Sequence, residues 1–306
     1  MISALSAFSA FPTLFIGCCL VLGLLVGSFL NVVIYRLPIM LDREWREQSA
    51  ELAREGMSSG PHVTQVLRER FNLLVPRSAC PACKAPITAL QNIPVLSYAF
   101  LRGRCASCGT SISVRYPIVE ALTGVLSAVV AWRFGFGWPA LAALVLTWFL
   151  TTLAFIDIDH QLLPDNLTLP LVWIGLLVSL WGPHPGGAAV PVDLRSSLIG
   201  AAAGYVSLWG IFHLFRLATG KEGMGYGDFK LFAALGAWLG WQMLLPVILV
   251  AAAVGAVAGI VLLSVKGRDR GTPIPFGPFL AAAGWLMLLF GHELVARYLG
   301  LFGGHP

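Results

Sequence analysis

Long apolar runs separated by short polar joints fill the chain from residue 117 onward, and one more lies near its start. Eight stretches predict helices: Leu14–Tyr35, Pro117–Phe134, Trp138–Ile156, Leu167–Trp181, Leu194–Leu217, Phe229–Trp241, Met243–Val265 and Phe276–Phe290. Most reach the length that crosses a bilayer, while the fourth, sixth and eighth are short. Backbone polar groups in lipid must be satisfied within their own segment, so these stretches predict an α-helical bundle. The fold expected is an all-α polytopic membrane protein of about eight transmembrane helices, with a cytoplasmic insertion between the first and the second. The organisation that follows is 1–35 as a first membrane helix, 36–116 as a cytoplasmic segment and 117–306 as a seven-helix membrane bundle.

Composition agrees: 57% of the 306 residues are hydrophobic and 11% charged, against about 25% charged in a soluble domain. The first apolar stretch lacks a basic region before it and runs straight into Arg36 without a small-residue cleavage pattern. It reads as a retained helix rather than a signal peptide. Gly23, Gly27 and Ser28 give it a small-residue face on which another helix can pack. The Gly- and Pro-rich joint Gly182–Asp193 reads as a plain connector.

Charge sets the expected orientation. Eleven of the 20 Lys and Arg residues fall in Arg36–Arg115, and Arg216, Lys221, Lys230, Lys266, Arg268 and Arg270 flank joints on the same side of an eight-span count. The positive-inside rule then puts that side in the cytoplasm, both termini outside, and the polar edges near residues 157 and 228 towards the cytoplasm. A bilayer accounts for the net charge of +5 without nucleic acid. Within the polar segment, charges of both signs at three- and four-residue spacing after Leu41 predict a solvated helix on the membrane surface.

The same segment holds Cys80-Pro-Ala-Cys83 and Cys105-Ala-Ser-Cys108. Two C-x-x-C pairs each followed by turn-forming residues bring four thiolates to one tetrahedral centre, the arrangement of a closed structural Zn²⁺ site. Iron or an iron–sulfur centre is the competing occupant, and a reducing cytoplasm disfavours disulfides. Four sulfur ligands leave no open position for catalysis. Cys18 and Cys19 lie in the first helix and read as packing residues.

Two carboxylates occupy costly positions. Asp157 ends the run Leu141–Ile156, and Asp228 closes Gly223-Met-Gly-Tyr-Gly-Asp228 before the next apolar run. Asp228 alone could be a helix cap, and Lys230 and Lys221 could be snorkelling residues at helix ends. Paired with Asp157, it predicts an aspartyl protease site. There an ionised carboxylate draws a proton from the attacking water while a protonated one donates its proton to the oxyanion developing on the scissile carbonyl. Asp159 and Asp165 compete within the first cluster. Asp165, after Pro164 and before a helix, has N-cap character.

These motifs, with Gly27-Ser-Phe-Leu-Asn-Val-Val-Ile-Tyr-Arg-Leu-Pro38, Arg115-Tyr-Pro-Ile-Val-Glu120, Asp157 through Asp165 and Gly220 through Lys230, make the chain resemble the type IV prepilin peptidases over nearly its whole length. That family belongs to the Gly-x-Gly-Asp class of aspartyl proteases. The resemblance implies cleavage of the short basic leader of prepilins and type II secretion pseudopilins at the cytoplasmic face of the bacterial inner membrane. It also implies methylation of the new N-terminus with S-adenosylmethionine, and it favours Asp157 with Asp228 as the catalytic pair. No Gly-rich nucleoside-binding fingerprint accompanies this. Glu120 and Asn31 are polar groups in apolar helices that could face a cofactor pocket or hydrogen-bond between helices. The rival expectation is a proton- or cation-coupled transporter, against which stand the absence of an internal repeat and the edge position of the acids. A zinc-stabilised membrane scaffold would leave the paired aspartates unexplained. Oligomeric state leaves no mark in the sequence.

Overall fold

The computed structural model describes residues 8–55, 71–88, 90–182, 192–221, 223–266 and 274–301. Among them it is nearly all helical, and the extended pairing is confined to two isolated antiparallel bridges, Ala79 with Pro86 and Arg104 with Ser111. The long helices are α1 (Pro12–Glu55), α3 (Arg115–Phe134), α4 (Trp138–His160), α6 (Leu194–Thr219), α8 (Leu244–Lys266) and α9 (Gly277–Leu301); α2 (Leu96–Phe100), α5 (Asp165–Ser179) and α7 (Tyr226–Leu239) are shorter. The connector expected at Gly182–Asp193 lies mostly outside the described residues.

Six of the helices are long and apolar enough to cross a membrane, which makes this a multi-pass membrane protein. Two of the eight expected spans are shorter than that. Helix α5 has 15 residues and α7 has 14, roughly 21–23 Å of helix against a hydrocarbon core of about 30 Å. For α7 the apolar run has a different cause. Every residue from Asp228 to Leu239 except the partly buried Lys230 is buried, so its hydrophobicity all round reflects enclosure by protein.

The chain forms two compact units, Val21–Val125 and the described residues among Met1–Leu20 and Leu126–Pro306. In the larger unit α7 is the hub. Gly200 and Gly204 of α6 lie directly on the α7 backbone: a Cβ at Gly200 would stand 2.2 Å from the Gly236 carbonyl oxygen, and one at Gly236 would stand 2.1 Å from that of Gly200. Small residues at this spacing let two helices approach at backbone distance. Ser197 Oγ donates to the Ala237 carbonyl across 2.6 Å, and the Trp238 indole N–H donates to the Leu171 carbonyl of α5 across 2.9 Å. Leu235 fills the notch left by Gly284 of α9.

In the smaller unit Gly27 of α1 packs against Glu120 of α3, where a Cβ would lie 2.8 Å from the Glu120 Cα. This is the close approach expected of the small-residue face. The charged stretch after Leu41 is helical as expected, with Arg46 and Asp42 paired across 2.9 Å at i,i+4. It is the continuation of α1 past Pro38 rather than a separate surface helix.

Candidate active site and metal centre

Asp157 is the last buried residue of α4, 5% exposed. The helix ends three residues later, at His160, because Gln161 turns into the left-handed region (φ 51°, ψ 43°) and its amide returns to the Asp157 carbonyl across 2.9 Å. The side chain points elsewhere. Its Oδ2 accepts the backbone N–H of Gly277 across 3.0 Å. Gly277 is the first residue of α9, so its amide is one of the groups a helix start leaves without an internal partner. A carboxylate there also meets the positive end of the helix dipole. The fit requires glycine, since a Cβ at Gly277 would lie 2.6 Å from Asp157 Oδ2.

Asp228 is the third residue of α7, 7% exposed. Its carboxylate meets the backbone of Gly225, the N-cap residue, in the manner of a capping box. The capping expectation therefore holds in part. Its Oδ1 is buried without a hydrogen-bond partner, the one such side-chain atom among the described residues. Buried polar atoms are nearly always paired, so an orphan oxygen calls for a functional explanation.

The two carboxylates are close enough for their charges to interact. Leu163 is the spacer between their segments: a Cβ at Gly227 would lie 2.6 Å from Leu163 Cβ, and one at Gly277 would lie 3.2 Å from Leu163 Cδ1. Three separate parts of the chain, the end of α4, the start of α7 and the start of α9, thus converge on one point.

The other two aspartates of the first cluster stand apart. Asp159 is exposed. Asp165 is exposed too, and its expected capping role is corrected: Pro164 occupies the N-cap position with no side-chain cap, and Asp165 Oδ1 instead accepts from Lys230 Nζ across 2.5 Å. Lys230 accordingly has a partner on a neighbouring element, beyond the snorkelling role expected for it. Sequence reasoning missed Gly277. Its only signal is a glycine between two prolines, Pro275-Phe-Gly277-Pro278, opening an apolar run.

In the smaller unit the four sulfurs of Cys80, Cys83, Cys105 and Cys108 lie within 4.8 Å of one another. The two knuckles repeat one geometry. In the first, Lys84 N donates to the Cys80 carbonyl and Cys80 N to the Ala85 carbonyl, each across 2.9 Å; in the second, Gly109 N donates to the Cys105 carbonyl across 2.9 Å and Cys105 N to the Thr110 carbonyl across 2.8 Å. Lys84 and Gly109 take the positive φ that closes each turn, 61° and 72°. Cys80 and Cys108 sulfurs stand 3.8 Å apart, the edge of a tetrahedron whose centre is about 2.3 Å from each sulfur, as in tetrahedral zinc sites. Cys108 Sγ also meets the Thr110 hydroxyl across 3.2 Å, which fixes the orientation of that thiol. The donor set and its spacing fit zinc.

Asn31 and Glu120, the polar groups that could have faced a cofactor, are used within the unit. Asn31 Nδ2 donates to the Tyr116 carbonyl across 3.1 Å, and Glu120 Oε2 accepts the Val95 amide across 2.8 Å. Interhelical bonding is the role the structure gives Asn31.

Residues 21–134 match the bacterial peptidase A24 N-terminal domain, and residues 144–260 match the type IV leader peptidase family. Among curated proteins, the prepilin leader peptidase/N-methyltransferase of Stutzerimonas stutzeri is 52% identical over 288 residues, 94% of this chain and 95% of the relative. The protein of the same name from Aeromonas salmonicida is 54% identical over 288 residues, with the same coverage. That from Neisseria gonorrhoeae is 49% identical over 286 residues, 94% of each chain. No solved structure matches the chain. The chain therefore belongs to the type IV leader peptidase family.

Proposed function

We propose that this protein cleaves the leader peptide of type IV prepilins or type II secretion pseudopilins with Asp157 and Asp228, and then methylates the new N-terminus. Membership in the family and relatives named for both activities support the reading. The observation that carries the residue assignment is the burial of two carboxylates within electrostatic reach of each other, one on the Gly277 amide and one with a free oxygen.

In this reading the two buried carboxyl groups share one proton, because both cannot ionise cheaply in a poorly solvated site. The ionised member takes a proton from the attacking water. The protonated member donates to the carbonyl oxygen of the scissile bond as negative charge develops there. The N–H of Gly277 fixes one oxygen of Asp157 and so directs the other. Asp228 Oδ1, lacking a protein partner, is the atom free to meet water or substrate. A transporter reading gains no support from relatives of this kind.

Cys80, Cys83, Cys105 and Cys108 would hold a structural Zn²⁺ within a cytoplasmic segment that spans 36–116, between a first membrane helix and the membrane bundle of 117–306. S-adenosylmethionine would supply the methyl group for the second reaction. The same reading puts the protein in the bacterial inner membrane with both termini outside and the aspartates opening to the cytoplasm, on the distribution of Lys and Arg. Leader removal from a prepilin, with N-methylation followed by mass spectrometry, tests both halves. Loss of cleavage in Asp157→Asn and Asp228→Asn, with retention in Asp165→Asn, is the expected result.

A further inference from the structure

We propose that the cysteine-bearing segment is an interfacial membrane element: its apolar tips, at Leu74 and along Leu90–Phe100, insert among the headgroups of an anionic bilayer. The inference rests on α1 and α3 crossing the membrane and is independent of the peptidase reading.

Phe100 is 84% exposed, Leu74 80% and Leu90 78%, with Ile93 and Leu96 also exposed. They are ordered by local structure. Leu90 and Ile93 bracket a 3₁₀ turn (Leu90–Asn92) at i,i+3, and Leu96 and Phe100 lie at i,i+4 of α2, so each pair shares one side of its turn. A tetra-cysteine core this small leaves them no interior to enter.

Their attachment points place them at membrane depth. Val95, next to Leu96, donates its amide to Glu120 Oε2 across 2.8 Å. Glu120 is buried and lies five residues into α3, roughly 7–8 Å along a helix that crosses the membrane. Val95 itself sits at the centre of a tight γ-turn, φ 59° and ψ −47°, closed by the Leu96 N–H donating to the Pro94 carbonyl across 2.5 Å. The second tip is tied in the same way. Arg36, which follows the apolar run Leu14–Tyr35 of α1, is buried; its Nη1 donates to the Asn72 carbonyl across 2.9 Å and reaches the Leu73 carbonyl at 3.4 Å. Leu74 follows directly. Two apolar tips are thus each pinned by a buried side chain at the edge of a membrane-spanning helix.

Charge selects the surface. From Phe71 to Val119 the chain has five Lys and Arg residues (Arg77, Lys84, Arg102, Arg104 and Arg115) and no Asp or Glu. Zn²⁺ held by four thiolates would carry two negative charges and leave the segment net positive. Exposed apolar side chains on a segment whose charged side chains are all basic are what an anionic headgroup layer attracts. A basic leader peptide would be repelled. An acidic protein surface is the occupant the test must separate.

The test places the photoreactive residue p-benzoylphenylalanine at position 100, and separately at the exposed Ala106 of the second knuckle, in the whole chain in bacterial membranes. Irradiation followed by mass spectrometry identifies the adducts. The expected result is a phospholipid adduct from position 100 at least tenfold above that from position 106. A protein adduct in its place, no adduct, or equal lipid labelling at both positions would overturn the proposal. Hydrogen exchange gives a second readout in nanodiscs of phosphatidylcholine with phosphatidylglycerol. The pair Leu96→Ser with Phe100→Ser should speed exchange over 96–104 at least tenfold while zinc content and leader cleavage stay in place. Unchanged exchange counts against insertion, whatever the outcome for cleavage.

Discussion

The first amide of α9, at Gly277, donates to the carboxylate of Asp157, 120 residues earlier in the chain and at the far end of another helix. This bond orients one buried acid by a backbone group that no side-chain substitution can remove. It also makes the position intolerant of a side chain, because a Cβ would sit 2.6 Å from the oxygen it serves. Gly277→Ala should therefore displace the acid without removing it. A shift of about 1 Å at a reacting group costs about 100-fold in rate, so kcat for leader cleavage should fall by that order while thermal stability changes little. Cleavage at the wild-type rate would show that the bond does not orient the acid for catalysis.

The Asp165–Lys230 pair calls for a milder outcome. Both groups are partly exposed, with Asp165 more than half so, and exposed pairs contribute about 0–1 kcal/mol. Asp165→Asn should lower cleavage less than about 5-fold, the rate equivalent of that range. A loss as deep as that of Asp157→Asn would move the catalytic role within the first cluster to Asp165.

Gly236 tests the hub. Its backbone touches that of Gly200 so closely that any Cβ collides with a carbonyl oxygen, which cannot rotate away. Overpacking by one carbon costs about 1–3 kcal/mol. Gly236→Ala should lower the unfolding temperature in detergent, and Gly210→Ala, where a Cβ meets nothing within 4 Å, should not.

The four cysteines should carry one zinc per chain. X-ray absorption should report four sulfurs at about 2.3 Å, and Cys80→Ser or Cys108→Ser should abolish stoichiometric zinc in purified protein. An iron edge, or zinc retained in both variants, would refute the assignment.

Much of this architecture was legible because its signals are local. Asp157 and Asp228 stand out as acids ending or starting apolar runs, and the cysteine spacing carries its own geometry. What escaped is long-range. Gly277 looks like turn punctuation between two prolines, and its role exists only because α9 begins beside the end of α4. Asp165 looked like a cap since it follows Pro164, yet its carboxylate had a lysine 65 residues away to pair with. Apolar periodicity cannot distinguish enclosure by lipid from enclosure by protein, so the sequence did not reveal that the 14 residues of α7 are enclosed by neighbouring helices almost throughout.

On the proposed mechanism Asp157 and Asp228 act as one unit. The most direct measurement is single-turnover leader cleavage of a prepilin by purified Asp157→Asn, Asp228→Asn and the double variant, each checked for folding and zinc content. Groups that act together lose their effect together rather than additively. Each single variant should fall at least about 1000-fold, and the double variant should be no slower than either. Appreciable cleavage by either single variant, or losses that multiply in the double, would contradict the shared-proton dyad.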